Sequence, residues 1–287
     1  MGYQRIHVII NPASGKDEPI LNPLNDIFTP RGLDWQVHLT RQAGDGTRLA
    51  RQALEAGADV IACYGGDGTL MEVANALVGS EVPLAILPGG TGNAMAFELE
   101  IPRTLREAAT LVCESEATRA VDLARCPGGY FLLRAYTGPR AEDVASREEK
   151  DRLGFLAYPL AAMRVLANLK LVTYRVEVDE TVYEDQGYSC FIFNAGSLGG
   201  IARALPDVSP SDGLLDVLIV SDQATHPGVL ASFLLENKLH AHRRQGRHIR
   251  VTVEPPQTVW LDGEAGGETP LDVTVIPAAI RVVVQAK

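Results

Sequence analysis

Apolar runs and helical patterns alternate along residues 1–122 of the chain. The predicted strands are residues 5–10, 33–39, 59–64 and 84–87. The predicted helices are residues 45–56, 70–77 and 103–114, with a proline-interrupted helix between the first two strands. Strands that alternate with helices are typical of a parallel sheet covered by helices on both faces. The pattern therefore predicts a doubly wound α/β domain over residues 1–122.

After residue 122 the pattern changes to strands separated by short turns. Strands are predicted at residues 130–136, 173–178, 190–193, 215–220, 249–253, 258–261, 271–275 and 280–284, and helices at about 153–169 and 228–240. Such a series predicts an antiparallel sandwich or barrel. We expect a second, β-rich domain over residues 123–287. The pattern does not decide whether its last strand returns to the first domain. The functional cleft is expected between the two domains.

Three predicted strands of the first domain end in loops rich in Gly, Asn, Ser and Thr. The loops are Asn-Pro-Ala-Ser-Gly-Lys at 11–16, Gly-Gly-Asp-Gly-Thr at 65–69 and Pro-Gly-Gly-Thr-Gly-Asn at 88–93. Glycines let backbone N–H groups approach phosphate oxygens, and a helix N-terminus favours negative charge. Because the carboxyl ends of parallel strands share one edge, the loops should converge. For the central loop alone, a plain tight turn remains an alternative.

Asp67, in the central loop, adds a negative charge to a predicted phosphate site. A carboxylate beside phosphates is repelled unless a divalent cation lies between them, so Asp67 indicates Mg²⁺ with a nucleoside polyphosphate. No Gly-x4-Gly-Lys-Ser/Thr motif surrounds Lys16, which argues against a P-loop NTPase. Glu72 either faces the phosphates through the metal or lies on a solvated helix surface. The residues predicted to contact the nucleotide are Asn11, Ser14, Lys16, Thr40, Gly66, Thr69, Glu72, Gly90, Thr91 and Asn93.

Two acidic motifs stand out in the second domain. Asp262-Gly263-Glu264 follows an apolar strand, and transfer of a phosphoryl group to a hydroxyl needs one carboxylate to accept the proton and another to hold Mg²⁺. Our hypothesis is that Asp262 is the general base and that Glu264 and Asp67 position the metal; a polar hairpin tip is the alternative. Asp212 and Asp216 lie four residues apart around a glycine, which suits either a hard cation or an ordinary turn.

Together, these loops and acidic motifs resemble the diacylglycerol kinase catalytic domain family, which includes diacylglycerol, sphingosine and ceramide kinases and bacterial lipid kinases. The resemblance covers nearly the whole chain, since residues 212–216 and 261–264 fall where the later motifs of the family do. It implies ATP-dependent phosphorylation of a lipid hydroxyl with Mg²⁺, and a structural Mg²⁺ held by Asp212, Leu214 and Asp216. The Gly-Gly-Asp-Gly-Thr motif alone is shared with NAD kinases.

Ala94 departs from the diacylglycerol kinase pattern, in which an acid usually follows the asparagine of the third loop. The stretch 90–96 is more similar to the sphingosine-kinase version. This departure places diacylglycerol in doubt as the substrate without establishing a sphingoid base. The glycines of residues 194–200 either leave room for a lipid chain or shape a loop for packing.

Composition restricts the class and location of the protein. The net charge of −10 over 287 residues argues against a general nucleic-acid binder. Four scattered cysteines and the absence of a long apolar stretch indicate a cytoplasmic protein that meets a lipid membrane from the aqueous side. A homodimer is left open. A basic stretch could dock on anionic headgroups or simply be solvated; it contains Lys238, His240, His242, Arg243, Arg244, Arg247, His248 and Arg250.

Three functions are consistent with these observations. The first is a lipid kinase that uses ATP and Mg²⁺. The second is a kinase of a soluble substrate, such as an NAD kinase, although the first and third loops argue against it. The third is a catalytically silent regulator that binds lipid or nucleotide, which the presence of Asp67, Asp262 and Glu264 disfavours.

Overall fold

The computed structural model describes residues 2–15, 18–138, 171–197, 205, 207–221 and 243–286. The two helices predicted at about 153–169 and 228–240 lie outside the described residues. So does Lys16 of the first loop.

The described residues form sixteen strands, five α-helices and one 3₁₀ turn. The strands are β1 (Arg5–Ile10), β2 (Asp34–Leu39), β3 (Val60–Gly65), β4 (Leu84–Pro88), β5 (Thr118–Cys126), β6 (Gly129–Phe131), β7 (Arg134–Thr137), β8 (Val172–Val178), β9 (Thr181–Gly187), β10 (Ser189–Phe193), β11 (Leu215–Val220), β12 (Arg243–Gly246), β13 (His248–Val253), β14 (Thr258–Leu261), β15 (Glu264–Glu268) and β16 (Leu271–Val283). The helices are α1 (Leu21–Phe28), α2 (Asp45–Glu55), α3 (Asp67–Leu77), α4 (Ala94–Glu98) and α5 (Leu105–Glu114), and the 3₁₀ turn is Thr29–Arg31.

The first four strands form a parallel sheet in the order β2-β1-β3-β4. Strands β3 and β4 are buried along their whole length, as expected for parallel strands covered on both faces. The helices pack in pairs, α1 with α5 and α2 with α3. Since each parallel strand points the same way, the loops after β1, β3 and β4 leave the sheet at one edge.

The last strand joins the two halves of the molecule. β16 pairs in parallel with β4 at Val282 and Leu84, and antiparallel with β5 and β13. One ten-stranded sheet therefore runs through both domains, and the predicted division at residue 122 falls within β5. The two strands predicted at 271–275 and 280–284 are wrong as separate elements, because β16 continues through both with a register shift between Ile276 and Ile280.

A second sheet covers the C-terminal part of the first. Its six antiparallel strands follow the order β12-β11-β10-β7-β14-β15. Alternate residues of both sheets meet in a buried core that includes Ile192, Val217, Val251 and Val273. The predicted combination of an N-terminal α/β domain with a C-terminal antiparallel β-sandwich is confirmed.

The strand predicted at residues 130–136 is broken in the structure. β6 ends at Phe131 and β7 begins at Arg134. The intervening backbone leaves the strand pairing because the N–H groups of Leu132 and Leu133 donate to the carboxylate of Asp262, at 2.7 and 3.0 Å. A run of apolar residues conceals this break, because the acceptor lies far away in the sequence.

Candidate active site

The three glycine-containing loops meet at the carboxyl edge of the parallel sheet. The Asn11 side-chain N–H donates to Thr69 Oγ1 at 2.9 Å, which joins the first loop to the second. A Cβ added at Gly15 would lie 2.9 Å from Thr91 Oγ1, and one added at Gly90 would lie 2.4 Å from the Gly66 Cα. The backbones therefore approach one another more closely than side chains would allow.

The central loop runs directly into helix α3. Gly66 precedes the helix in an extended conformation, and the helix begins at Asp67. The first N–H groups of a helix have no partner within it, and they carry the positive end of the helix dipole. A small open pocket adjoins this helix start; it is lined by Cys63, Gly65, Gly66, Asp67, Leu70, Ile86, Asn93 and Ala96. The arrangement is suited to binding phosphate oxygens.

The carboxylate of Asp67 fixes the third loop to the second. Its Oδ2 accepts from the Ala94 N–H at 3.0 Å and its Oδ1 from the Met95 N–H at 3.2 Å. These amides begin α4. Each carboxylate oxygen can accept more than one bond, so Asp67 retains acceptor sites for a cation while it positions α4.

Glu72 makes contacts that neither interpretation of the sequence included. Its two carboxylate oxygens accept from the N–H groups of Gly44 and Gly46, at 2.8 and 2.7 Å. These glycines lie at the start of α2. Glu72 therefore binds the N-terminus of the neighbouring helix in this structure, and its predicted contact with the nucleotide stays a prediction.

Other predicted nucleotide-contacting residues shape the loops themselves. The Ser14 hydroxyl donates to the Asn11 carbonyl at 2.6 Å. Asn93, with a positive φ of 44°, donates to the Gly90 carbonyl and accepts from its N–H. Thr40 is buried just after β2, where its N–H donates to the Ile10 carbonyl at 3.0 Å. Their contacts with a nucleotide stay predictions.

Asp262, directly after β14, is held by backbone at the junction of β6 and β7. Besides the Leu132 and Leu133 N–H groups, the Arg134 N–H donates to its carboxylate, at 2.8 Å. Burial raises the pKa of Asp262 to about 6, against the opposing effect of these three amides and the Arg134 charge. Near neutral pH the group is thus a fixed carboxylate with appreciable affinity for a proton, as a general base requires.

Glu264 brings this acidic turn to the glycine-containing loops of the first domain. Its side chain is exposed, and a Cβ added at Gly68 would lie 3.5 Å from Glu264 Oε1. Gly68 is the residue after Asp67 at the start of α3. The two carboxylates that we expected to position Mg²⁺ therefore lie on adjoining segments, and their oxygen donors fit a hard cation.

The predicted structural metal site is less well supported. Asp212 is exposed and its Oδ1 accepts from the Leu214 N–H at 3.0 Å. Asp216 is buried and forms an ion pair with Arg243, although one of its oxygens has no hydrogen-bond partner among the described residues. Arg243 compensates the Asp216 charge, and the predicted structural Mg²⁺ at Asp212, Leu214 and Asp216 stays a prediction. Within the described part of the chain, no three His, Cys, Asp or Glu side chains form a metal cluster.

The basic stretch is largely paired with acids where the structure describes it. Arg244 forms an ion pair with Asp185 at 2.7 Å, and His248 contacts Asp272 at 2.9 Å. Lys238, His240 and His242 lie outside the described residues. The predicted docking on anionic headgroups stays a prediction.

A second polar chain near Asp262 was missed from the sequence. Ser197 donates its hydroxyl to Glu98, and its carbonyl accepts from Arg134 Nη1 at 3.1 Å. The one available signal was Glu98 itself, an acid in the otherwise apolar run Ala-Met-Ala-Phe-Glu-Leu.

In the part of the chain that is described, no helix has the length and apolar character needed to cross a membrane.

Comparison with known proteins assigns the family. The diacylglycerol kinase catalytic domain family matches residues 5–126, and the YegS C-terminal NAD kinase beta sandwich-like domain matches residues 135–284. A diacylglycerol kinase of Bacillus subtilis (strain 168) is 31% identical over 294 residues, which cover 98% of this chain and 96% of that protein. A diacylglycerol kinase of Staphylococcus saprophyticus is 30% identical over 284 residues, which cover 93% of this chain and 91% of that protein.

A solved structure gives the same result at the level of the whole fold. The crystal structure of a diacylglycerol kinase from Bacillus anthracis str. Sterne matches with a TM-score of 0.81 and 26% identity, over 99% of this chain and 98% of that chain. The fold and the matched sequences define an enzyme of the lipid kinase class. The chain belongs to the diacylglycerol kinase catalytic domain family.

Proposed function

We propose that this enzyme transfers the γ-phosphoryl group of ATP to a hydroxyl of a lipid, with Mg²⁺. One observation carries the proposal: the Asp262–Glu264 turn of the second domain approaches the glycine-containing loops of the first domain at Gly68. Phosphoryl transfer is catalysed mainly by positioning and by electrostatic stabilisation. This site combines amide donors for phosphates with carboxylates for a cation and a proton.

The nucleotide would bind across the loops of the first domain. Backbone N–H groups at the start of α3 and in residues 88–93 would hold the phosphates, and Asn11 and Thr69 keep the first two loops in contact. Asp67 and Glu264 would hold Mg²⁺, which supplies charge neutralisation on the phosphates when bound. The contacts of Asp67 with α4 keep its carboxylate in place before any ligand arrives.

Asp262 would accept the proton of the lipid hydroxyl. Its three backbone donors fix the direction of the carboxylate, and its pKa of about 6 leaves it ionised near neutral pH. A base whose pKa lies close to the working pH is largely deprotonated and still able to bind the proton. The hydroxyl oxygen would then attack the γ-phosphorus of ATP, and the bond from this phosphorus to the bridging oxygen would break as ADP leaves.

Diacylglycerol is the acceptor we propose first, because the matched relatives are named diacylglycerol kinases. Ala94 keeps a sphingoid base as a second lipid candidate, since it stands where an acid is usual in diacylglycerol kinases. NAD is the soluble alternative, because the second domain matches an NAD kinase beta sandwich-like family. For a lipid acceptor, the enzyme would work in the cytoplasm, peripherally at a membrane surface.

The test is a transfer assay with γ-labelled ATP and Mg²⁺, offered dispersed diacylglycerol, sphingosine or NAD. We expect label in the organic phase with a lipid, and loss of that label in Asp67→Ala. Asp26→Ala is the matched control, because Asp26 on α1 forms an exposed ion pair with Arg106 on α5, outside the loops. Label in NAD alone, or an unchanged rate in Asp67→Ala, would overturn the proposal.

A further inference from the structure

A buried polar chain connects helix α4 with the turn that holds Asp262. The Ser197 hydroxyl donates to Glu98 Oε2, and Glu98 and Ser197 are 3% and 0% exposed. The Ser197 carbonyl accepts from the Arg134 guanidinium at 3.1 Å. The backbone N–H of the same arginine donates to Asp262 Oδ1 at 2.8 Å.

Helix α4 links the two acidic centres of the site. Its first N–H groups, from Ala94 and Met95, are bound by Asp67, and its last residue is Glu98. The helix has five residues, so one short element carries both contacts. A path of contacts therefore runs from Asp67 through α4, Ser197 and Arg134 to Asp262.

The turn at Leu132 and Leu133 is held by contacts outside its own strand pairing, and its carbonyls accept from Asn194 and Ala195. The N–H groups of Leu132 and Leu133 donate hydrogen bonds to the Asp262 carboxylate and take no part in strand pairing. The Asp262 N–H donates in return to the Arg134 carbonyl at 3.0 Å. The direction of the carboxylate is thus no better fixed than the backbone of this turn, and displacement of a reacting group by even about 1 Å is costly for catalysis.

We propose that Glu98 and Ser197 are positioning residues that, through Arg134, hold Asp262 in the direction needed for proton transfer. The proposal rests on the proposed function of Asp262. Neither residue touches the reacting atoms: Glu98 fixes the Ser197 hydroxyl, the Ser197 carbonyl fixes the Arg134 side chain, and the Arg134 N–H fixes the base. Loss of the chain should lower the rate of transfer while leaving nucleotide binding intact.

Ser197→Ala tests the proposal, with Ser189→Ala as its matched control. Ser189 is also buried, and its hydroxyl donates to the carbonyl of Thr137 on β7, in the same sheet but at the end of β7 away from Asp262. We expect Ser197→Ala to lower kcat about 10-fold and to leave the Kd for ATP within about twofold. Ser189→Ala should leave kcat within about twofold of wild type.

Glu98 variants separate positioning from general stability. The amide oxygen of Glu98→Gln can still accept from Ser197, so this variant should keep most of the wild-type kcat. Glu98→Leu removes the acceptor and should match Ser197→Ala, and combining the two should cause little further loss, because both act through one chain. The proposal would be overturned if Glu98→Gln and Glu98→Leu lowered kcat equally. It would also be overturned if the losses of kcat from Glu98→Leu and Ser197→Ala were fully additive in the double variant.

Backbone hydrogen exchange provides a readout that does not depend on activity. The N–H groups of residues 132–134 should exchange faster in Ser197→Ala than in wild type or Ser189→Ala, because their turn is less constrained. Unchanged exchange there, or a kcat equal to wild type in Ser197→Ala, would overturn the inference. An inactive wild type with faster exchange in Ser197→Ala would instead contradict the proposed function and leave the structural coupling established.

Discussion

Asp262 combines two opposing influences at the scale of a single residue. Burial raises its pKa to about 6, whereas three backbone N–H groups and the charge of Arg134 lower it. The net effect is a carboxylate that protonates well above the ordinary range for aspartic acid. The proton affinity of the proposed base thus comes from its surroundings.

The pH dependence of turnover follows from this pKa. A base must be deprotonated to act, so kcat should be constant above pH 7 or so and should fall as the pH drops through about 6. The measurement is kcat over a pH range of about 5 to 9 at saturating ATP and lipid. A rate that stays constant down to pH 5 would show that Asp262 does not titrate in the proposed role.

Residue types predicted the acids of the proposed site but not the groups that hold them. Asp67, Asp262 and Glu264 were predicted from the sequence because phosphoryl transfer requires carboxylates; their roles stay predictions. The donors to Asp262 are backbone N–H groups within an apolar segment, so no side chain marks them. Glu98 and Ser197 lie 99 residues apart, and only folding brings them together.

At the scale of elements, the close approach of two loops explains an asymmetry between two glycines. A Cβ at Gly90 would lie 2.4 Å from the Gly66 Cα, a backbone atom that cannot move away cheaply. A Cβ at Gly66 would lie 3.6 Å from the Gly90 Cα, which is an ordinary contact. The same pair of loops thus tolerates a methyl group from one side only.

Substitution with alanine tests this asymmetry. Gly90→Ala should lower the Tm by several degrees, because the second and third loops must separate. Gly66→Ala should have a Tm close to that of wild type, and serves as the matched control. Thermal unfolding followed by circular dichroism gives both values; equal Tm values for the two variants would contradict the proposed contact.

The elements of the first domain were predicted more accurately than those of the second. The predicted strand at 5–10 matches β1, and the predicted helix at 45–56 differs from α2 by one residue. In the second domain β9 was not predicted, because its side chains are mostly exposed or half-exposed and show no apolar alternation. The break at residues 132 and 133 and the continuity of β16 both depend on distant partners.

At the scale of the whole molecule, the last strand completes the first domain. Residues Ala279, Ile280, Val282 and Val283 of β16 belong to the same buried core as β1 and β3. β16 also pairs with both β4 and β5. The three glycine-containing loops are thus fixed to a sheet that only β16, the last strand, completes.

A fragment of residues 1–126 should therefore not fold alone, although one family match covers most of it. Without β16, β4 becomes an unpaired apolar edge and β5 loses its long pairing partner. We expect no cooperative thermal transition for the fragment, against a cooperative one for the full chain under the same conditions. A fragment that unfolds cooperatively near the Tm of the full chain would refute this dependence.

The two-domain architecture was predictable because each half has its own periodicity, alternating strands and helices in the first and successive strands in the second. The shared sheet that joins the two domains was not predictable, because the pairing of Val282 with Leu84 joins residues far apart in the sequence. That union places the Asp262–Glu264 turn against the loops of the first domain. The proposed chemistry therefore depends on the whole chain.

The most direct test compares wild type with Asp262→Asn in transfer of label from γ-labelled ATP to dispersed diacylglycerol, with Asp272→Asn as the matched control. We predict organic-soluble label with wild type and Asp272→Asn, and a rate lower by about 10²-fold or more with Asp262→Asn, while its Kd for ATP is unchanged. Undiminished transfer by Asp262→Asn, or no lipid product from wild type, would contradict the account.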